Sequence, residues 1–157
     1  MTFKNKFFRI ITYAIFYIYL FILIKLVLFK FSYCYLLKRV FEYNNLENNI
    51  RFANFVPFET IDLYIKRGIS YASVTNVLGN IVLFFPLGFM LPVLSKKSQG
   101  IFKVSFVGFL VSLLLESIQL VTNLGAFDVD DLILNTLGTL IGILAYKVIK
   151  FIMKIDF

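Results

Sequence analysis

Val74-Thr-Asn76-Val-Leu-Gly79-Asn80-Ile-Val-Leu-Phe-Phe-Pro86-Leu-Gly88-Phe-Met-Leu-Pro92-Val-Leu94 runs through positions 74–94 without one charged residue. A hydrocarbon core of about 30 Å takes roughly 20 helical residues, so a run of this length reads as a membrane span. Asn76 and Asn80 interrupt it one helical turn apart, on a single face. Three more runs have the same character, at about 10–30, 104–122 and 131–153. The first holds Lys25 near its end, and the third has Glu116 as its sole charge. The last begins at Asp131 and collects Lys147, Lys150 and Lys154 toward its end. The expected fold is all-α: one integral membrane domain over 1–157, with four transmembrane helices and a long connection between the first two.

Composition agrees with this class. Hydrophobic residues make up 60% of the 157 positions, against about 45–50% in soluble domains. The mean hydropathy is +0.86. The net charge of +7 sits beside apolar runs, which suits lysines facing anionic lipid and argues against a nucleic-acid partner. Cys34 is the single cysteine, so no internal disulfide forms, and the absence of histidine excludes histidine zinc sites and Ser–His triads.

Basic residues orient the spans. Lys4, Lys6 and Arg9 precede the first, Lys96, Lys97 and Lys103 lie between the second and third, and the fourth ends in lysines. The connection 122–130 has no Lys or Arg. The positive-inside rule then places both termini on the cytoplasmic side of the membrane. The 30–73 connection is expected outside, although it mixes Lys38, Arg39, Arg51, Lys66 and Arg67 with Glu42, Glu47, Glu59 and Asp62. No small-x-small cleavage site follows the first run, so it is read as an uncleaved helix. Within the long connection, Asn54-Phe-Val-Pro57-Phe-Glu-Thr-Ile61 is apolar and too short to span, and suits an interfacial or re-entrant piece as well as an ordinary surface loop.

Orientation gathers the polar residues at one depth. Asn76 and Asn80, then Glu116 and Gln119, then Asp128, Asp131 and Asn135 each share a helix face near the outer end. Ionisable side chains at membrane depth mark functional sites by default. The candidate pocket is therefore Arg51, Asn54, Asn76, Asn80, Glu116, Gln119, Asp128, Asp131 and Asn135, with Arg51 as the expected cation for Glu116. Oxygen ligands from Asp128, Asp131 and Glu116 suit a divalent cation, and Glu116 with Asp131 suits acid–base work. Other readings stand beside these: Asp130 and Asp131 as helix caps, and the asparagines as interhelical hydrogen-bond links. Gly138 and Gly142 form a small-xxx-small ridge on the Asp131 face, and Pro86, Gly88 and Pro92 imply a kink or an early end in the second helix.

Four blocks carry a family resemblance: Asn54-Phe-Val-Pro57-Phe58-Glu-Thr60-Ile61; Asn76-Val-Leu-Gly79-Asn80 through Pro86-Leu-Gly88; Ser112-Leu-Leu-Leu-Glu116-Ser-Ile-Gln119; and Phe127-Asp128-Val-Asp130-Asp131-Leu-Ile-Leu-Asn135-Thr-Leu-Gly138. In this order, over about 51–142, they resemble the VanZ-like family. The resemblance implies a small multi-spanning bacterial membrane protein associated with low-level teicoplanin resistance. The family's motif positions fall on Asn54, Pro57, Asn76, Gly79, Asn80, Pro86, Gly88, Glu116, Gln119, Asp128, Asp131, Asn135 and Gly138. Many members carry an arginine just before the Phe-Asp pair, where this chain has Gly125-Ala126. The expected activity is an envelope protein that lowers glycopeptide susceptibility, with the pocket engaging a lipid or lipid-linked precursor headgroup, directly or through a cation. A membrane enzyme modifying a lipid-linked component and a small proton- or cation-coupled transporter are the alternatives.

Overall fold

A computed structural model of the protein describes residues 6–29, 41, 45–68, 70–95 and 99–153. Cys34 and the charged residues Lys4, Lys38, Arg39, Glu42, Lys96, Lys97 and Lys154 lie outside the described residues. Among the described residues, six helices follow in order: α1 (Lys6–Leu28), α2 (Leu46–Arg51), α3 (Glu59–Lys66), α4 (Tyr71–Leu94), α5 (Ile101–Thr122) and α6 (Val129–Met153). Four of them, α1, α4, α5 and α6, are long and apolar enough to cross a membrane. The all-α, four-span expectation is met, and the short helices α2 and α3 occupy the long connection.

Helix starts shift by a turn or less for identifiable reasons. α4 begins at Tyr71 rather than 74 because Ser70 and Ser73 form a reciprocal capping box ahead of the apolar run. α6 begins at Val129 rather than 131 because the cap is Asp128, whose Oδ1 accepts the Asp130 N–H at 2.8 Å. The capping role considered for Asp130 and Asp131 thus belongs to Asp128. Pro86 and Pro92 do not end the second span, since α4 stays one helix through both. Pro86 lacks the N–H that would close on Val82, and one residue on, the Leu83 carbonyl accepts from the Tyr19 hydroxyl at 2.8 Å. This bond ties α1 to α4.

The bundle has two unlike interiors. On one side Leu23, Val27 and Leu28 of α1 pack with Phe84, Leu87 and Leu115 in an apolar cluster. On the other, α6 packs most extensively on α4 and then on α5, through small and polar residues. α6 is the most enclosed span, with 44% of its apolar window buried, and α1 the least, at 11%. The exposed Phe, Ile and Leu side chains of α1 would be a liability in water but suit lipid.

Close approach of α4 and α6 requires glycine. A Cβ on Gly88 would stand 1.9 Å from the Thr139 carbonyl oxygen, on Gly138 2.3 Å from that of Ile81, and on Gly142 2.1 Å from that of Phe85. The expected ridge at 138 and 142 is therefore a backbone-to-backbone seam, with Gly88 as its third member. Gly79 differs: nothing lies within 4 Å of its Cβ position, so its expected structural role is not a packing one. Gly138→Val should destabilise the bundle by about 1–3 kcal/mol through overpacking against backbone that cannot yield. Gly79→Ala should be neutral or mildly stabilising, by up to about 1 kcal/mol. Thermal unfolding in detergent, followed by circular dichroism, separates the two.

Candidate functional site

The start of α6 leaves backbone N–H groups without helical acceptors, and such groups inside a bilayer need partners from the protein. Two at this end are met by other elements. The Asp128 N–H donates to Glu116 Oε2 of α5 at 3.1 Å. The Val129 N–H donates to the Asn54 carbonyl at 3.0 Å, and the Asn54 N–H donates to the Phe127 carbonyl at 2.8 Å. This exchange forms an isolated parallel bridge between Asn54 and Asp128. The acidic side chain of Glu116 thus sits at the positive end of the α6 dipole, where a carboxylate is favoured.

The carboxylates of the Asp128-Val-Asp130-Asp131 run face three ways. Asp128 accepts from the Asn54 side-chain amide (2.9 Å) and from the Thr60 hydroxyl (2.7 Å), which fastens α6 to the α2–α3 connection. Asp130 is fully buried and accepts the backbone N–H groups of Phe58 and, at 3.0 Å, Ile61. Asp131 turns into the bundle and accepts from the Asn80 amide of α4. One turn deeper, the Asn135 amide donates to the Ser112 hydroxyl at 2.9 Å, and the Thr139 hydroxyl donates to the Asn135 carbonyl at 3.0 Å. Asn80, Ser112, Glu116, Gln119, Asp130, Asp131, Asn135 and Thr139 are all buried. At about 1.5 Å per residue, the polar face from Asp128 to Thr139 extends roughly 16 Å down α6.

The loop over this end has its own logic. Val56-Pro57-Phe58-Glu59 is a turn closed by the Glu59 N–H on the Val56 carbonyl at 3.3 Å, with Phe58 left-handed at φ +67°. Proline supplies the fixed φ at the second position, while the third prefers glycine. Phe58 there costs about 1–2 kcal/mol; the two backbone hydrogen bonds accepted by Asp130, each worth about 1.5–3 kcal/mol to a charged group, offset it. Phe55 stacks on Phe127 with ring centroids 5.1 Å apart, so the apolar piece lies against the bundle.

Six of the expected pocket residues make polar contacts between elements, in three sets: Asn54 and Glu116 with Asp128, Asn80 with Asp131, and Asn135 with Ser112. Asn76 is half-buried with its Oδ1 unpartnered. Gln119 lies at the border with α1, its amide donating to the Val27 carbonyl at 3.0 Å and packing where a Gly125 Cβ would sit 2.7 Å away. Gly125 therefore makes room for Gln119. Arg51 is a correction: it ion-pairs with Glu47 at 2.5 Å, with both side chains about 70% exposed, instead of serving Glu116. Its position one turn after Glu47 on α2 makes that pairing local. The three candidate metal ligands, Asp128, Asp131 and Glu116, make different contacts. Among the described residues no three Asp, Glu, Cys or His side chains are grouped to hold a metal ion, because adjacent positions on the first turn of α6 point to different neighbours.

Sequence reasoning left Thr60, Ser112, Thr139, Tyr64 and Asp130 out of the candidate pocket. Ser112 and Thr139 are legible in hindsight as small polar residues on the Glu116 and Asn135 faces, at i−4 and i+4. Tyr64 carries no local signal, since only the docking of α3 brings it near the cluster. Burial pushes its hydroxyl above the ordinary tyrosine range, and the charges of Asp131 and then Asp128 push it further.

The VanZ/LLP1 family model matches residues 16–150. A curated relative, Protein VanZ of Enterococcus faecium, is 32% identical over 138 residues, covering 88% of this chain and 74% of the relative. No solved structure is significantly similar to the chain.

Two measurements test the geometry. Asp130→Ala should speed hydrogen exchange at the Phe58 and Ile61 amides by about tenfold or more, the loss of a charge-assisted bond, while Asn80→Ala leaves those amides protected. Because Tyr64 has its folded pKa raised, the neutral hydroxyl favours the folded state at and below the ordinary tyrosine value. That contribution is lost as pH rises through the folded pKa. Asp131→Asn should lower the Tyr64 titration, read as the ultraviolet phenolate difference between each protein and its Tyr64→Phe counterpart.

Proposed function

This chain belongs to the VanZ/LLP1 family, and from that membership we propose that it lowers susceptibility to teicoplanin-like glycopeptides by engaging a lipid or lipid-linked precursor headgroup at the envelope. The observation that carries the reading is the Asn80–Asp131 hydrogen bond beside Glu116 at the α2–α3 end of a membrane bundle. Carboxylates and amides are expensive to retain at this depth unless something uses them. Helix pairs that only needed linking would be served by the glycine seam. The same end carries Asn54, Thr60 and Tyr64, so a headgroup approaching from the interface would meet acceptors on one side and a hydroxyl on the other.

In this reading the cluster faces outward and both termini are cytoplasmic. Lys103, Lys147 and Lys150 belong to the opposite end of α5 and α6, which supports that orientation by the positive-inside rule. The pocket residues are Asn54, Asn76, Asn80, Glu116, Asp128, Asp131 and Asn135, with Gln119 behind them. Arg51 lies on the rim.

The decisive test is teicoplanin susceptibility of a sensitive host expressing wild type, Asn80→Ala or Asp131→Asn at matched membrane levels. Wild type should protect, and both variants should fall to the level of the empty vector. Equal protection by all three would remove the cluster from the activity.

A further inference from the structure

Gly68, left-handed at φ +84°, ends α3 with its N–H donating to the Ile65 carbonyl at 3.3 Å. The chain turns there and re-enters helix at Tyr71. Between α3 and α4 this leaves a groove of about 370 Å³, near the lower end of the roughly 300–1,000 Å³ typical of ligand pockets. Ile61, Tyr64 and Ile65 form one wall, and Val74, Val77 and Leu78 form the other. Ser73 also lines it, but its hydroxyl donates to the Ser70 carbonyl at 2.8 Å. Apart from Ser73 and the Tyr64 hydroxyl, every lining side chain is hydrocarbon. Asn76, Asn80, Asp131 and Asn135 are not among the lining residues, so the groove is a feature apart from the acidic cluster.

The apolar surface continues past the groove. Val74, Leu78 and Val82 share one face of α4 at successive turns and are 40%, 54% and 64% exposed. They form a stripe about 12 Å long, against about 15 Å for half of a hydrocarbon core of roughly 30 Å. One extended acyl chain would therefore follow the stripe through most of its leaflet. Tyr71 stands exposed one turn before Val74, and a tyrosine at the end of a span suits the headgroup level.

Charge marks that same level. Arg67 follows Ile65 by two residues, is exposed, and has no ion pair among the described residues. Its neighbour Lys66 is already paired with Asp62. A free guanidinium at headgroup level, above an apolar slot that runs toward the membrane interior, is complementary to an amphiphile with an anionic head.

We propose that the groove between α3 and α4 holds one acyl chain of an anionic phospholipid, with the phosphate at Arg67 and the chain along Val74, Leu78 and Val82. Guanidinium suits this place because its planar fork matches phosphate oxygens. A zwitterionic lipid carries its own cation beside the phosphate and gains less from Arg67. The site goes beyond the headgroup reading of the acidic cluster and does not depend on it.

The chain contains no tryptophan, so a single one introduced by Leu78→Trp reports its own surroundings. Leu114→Trp, on an exposed position of α5, is the control away from the groove. Each protein is reconstituted in mixtures of phosphatidylglycerol and phosphatidylcholine of identical chain length, with either lipid brominated on its chains. Fluorescence quenching then gives the relative affinity of the two lipids at each position. At position 78 phosphatidylglycerol should be preferred about fivefold, the worth of one basic residue facing anionic lipid, and at position 114 the two should compete equally. Adding Arg67→Gln should bring the preference at position 78 to about one. Quenching there by brominated phosphatidylcholine alone should stay unchanged, showing that the groove is intact. Equal affinity at position 78 with Arg67 present overturns the proposal. The same preference at both positions also overturns it, as a general attraction of a basic chain for anionic lipid. Soluble glycerol phosphate that reverses the preference at position 78 overturns the acyl-chain assignment in favour of a headgroup site alone.

Discussion

The Asn80–Asp131 hydrogen bond is the joint on which the polar side of this bundle depends. Water is absent at membrane depth, so a carboxylate there is tolerated only where protein donors meet it. Asp131 is met by α4, Asp130 by the backbone of the α2–α3 connection, and Asp128 by Asn54 and Thr60. Three acidic residues in four positions thereby act as three separate fasteners. Because successive side chains on one helical turn diverge by about 100°, the spacing that crowds them in sequence disperses them in space.

That joint requires the glycine seam. An asparagine reaches an aspartate on a facing helix only if the two backbones run close together, and Gly88, Gly138 and Gly142 bring α4 and α6 to a separation at which any Cβ would collide with carbonyl oxygens. Small residues and polar links thus serve one another: the seam sets the distance, and the hydrogen bonds fix rotation and register along it. α1 takes no part in this. It closes the opposite, apolar side through Leu23, Val27 and the Tyr19–Leu83 bond, and remains the helix most open to lipid.

The connection between the first two spans is folded from the outside in. Its turn at Pro57-Phe58 holds a left-handed non-glycine residue, a conformation that local sequence disfavours. Asp130, distant in sequence, compensates for it by accepting the Phe58 amide within the turn and the Ile61 amide just after it. The segment therefore owes its shape to α6.

The four spans, the helical class and the ridge at Gly138 and Gly142 were all determined by the sequence. Hydropathy sets span length, and the 3.6-residue period sets faces, both of which are local properties. Tertiary structure alone decided which partner each polar atom takes. It gave Arg51 to Glu47 because that pairing is one turn away on an exposed helix, moved the cap of α6 to Asp128, and turned Asp130 toward a distant backbone. It also brought Tyr64 beside the carboxylates and left Asn135 Oδ1 empty. Apart from the local Glu47–Arg51 pair and the Asp128 cap, such choices depend on the approach and rotation of helices far apart in the chain, and no period or composition encodes those quantities.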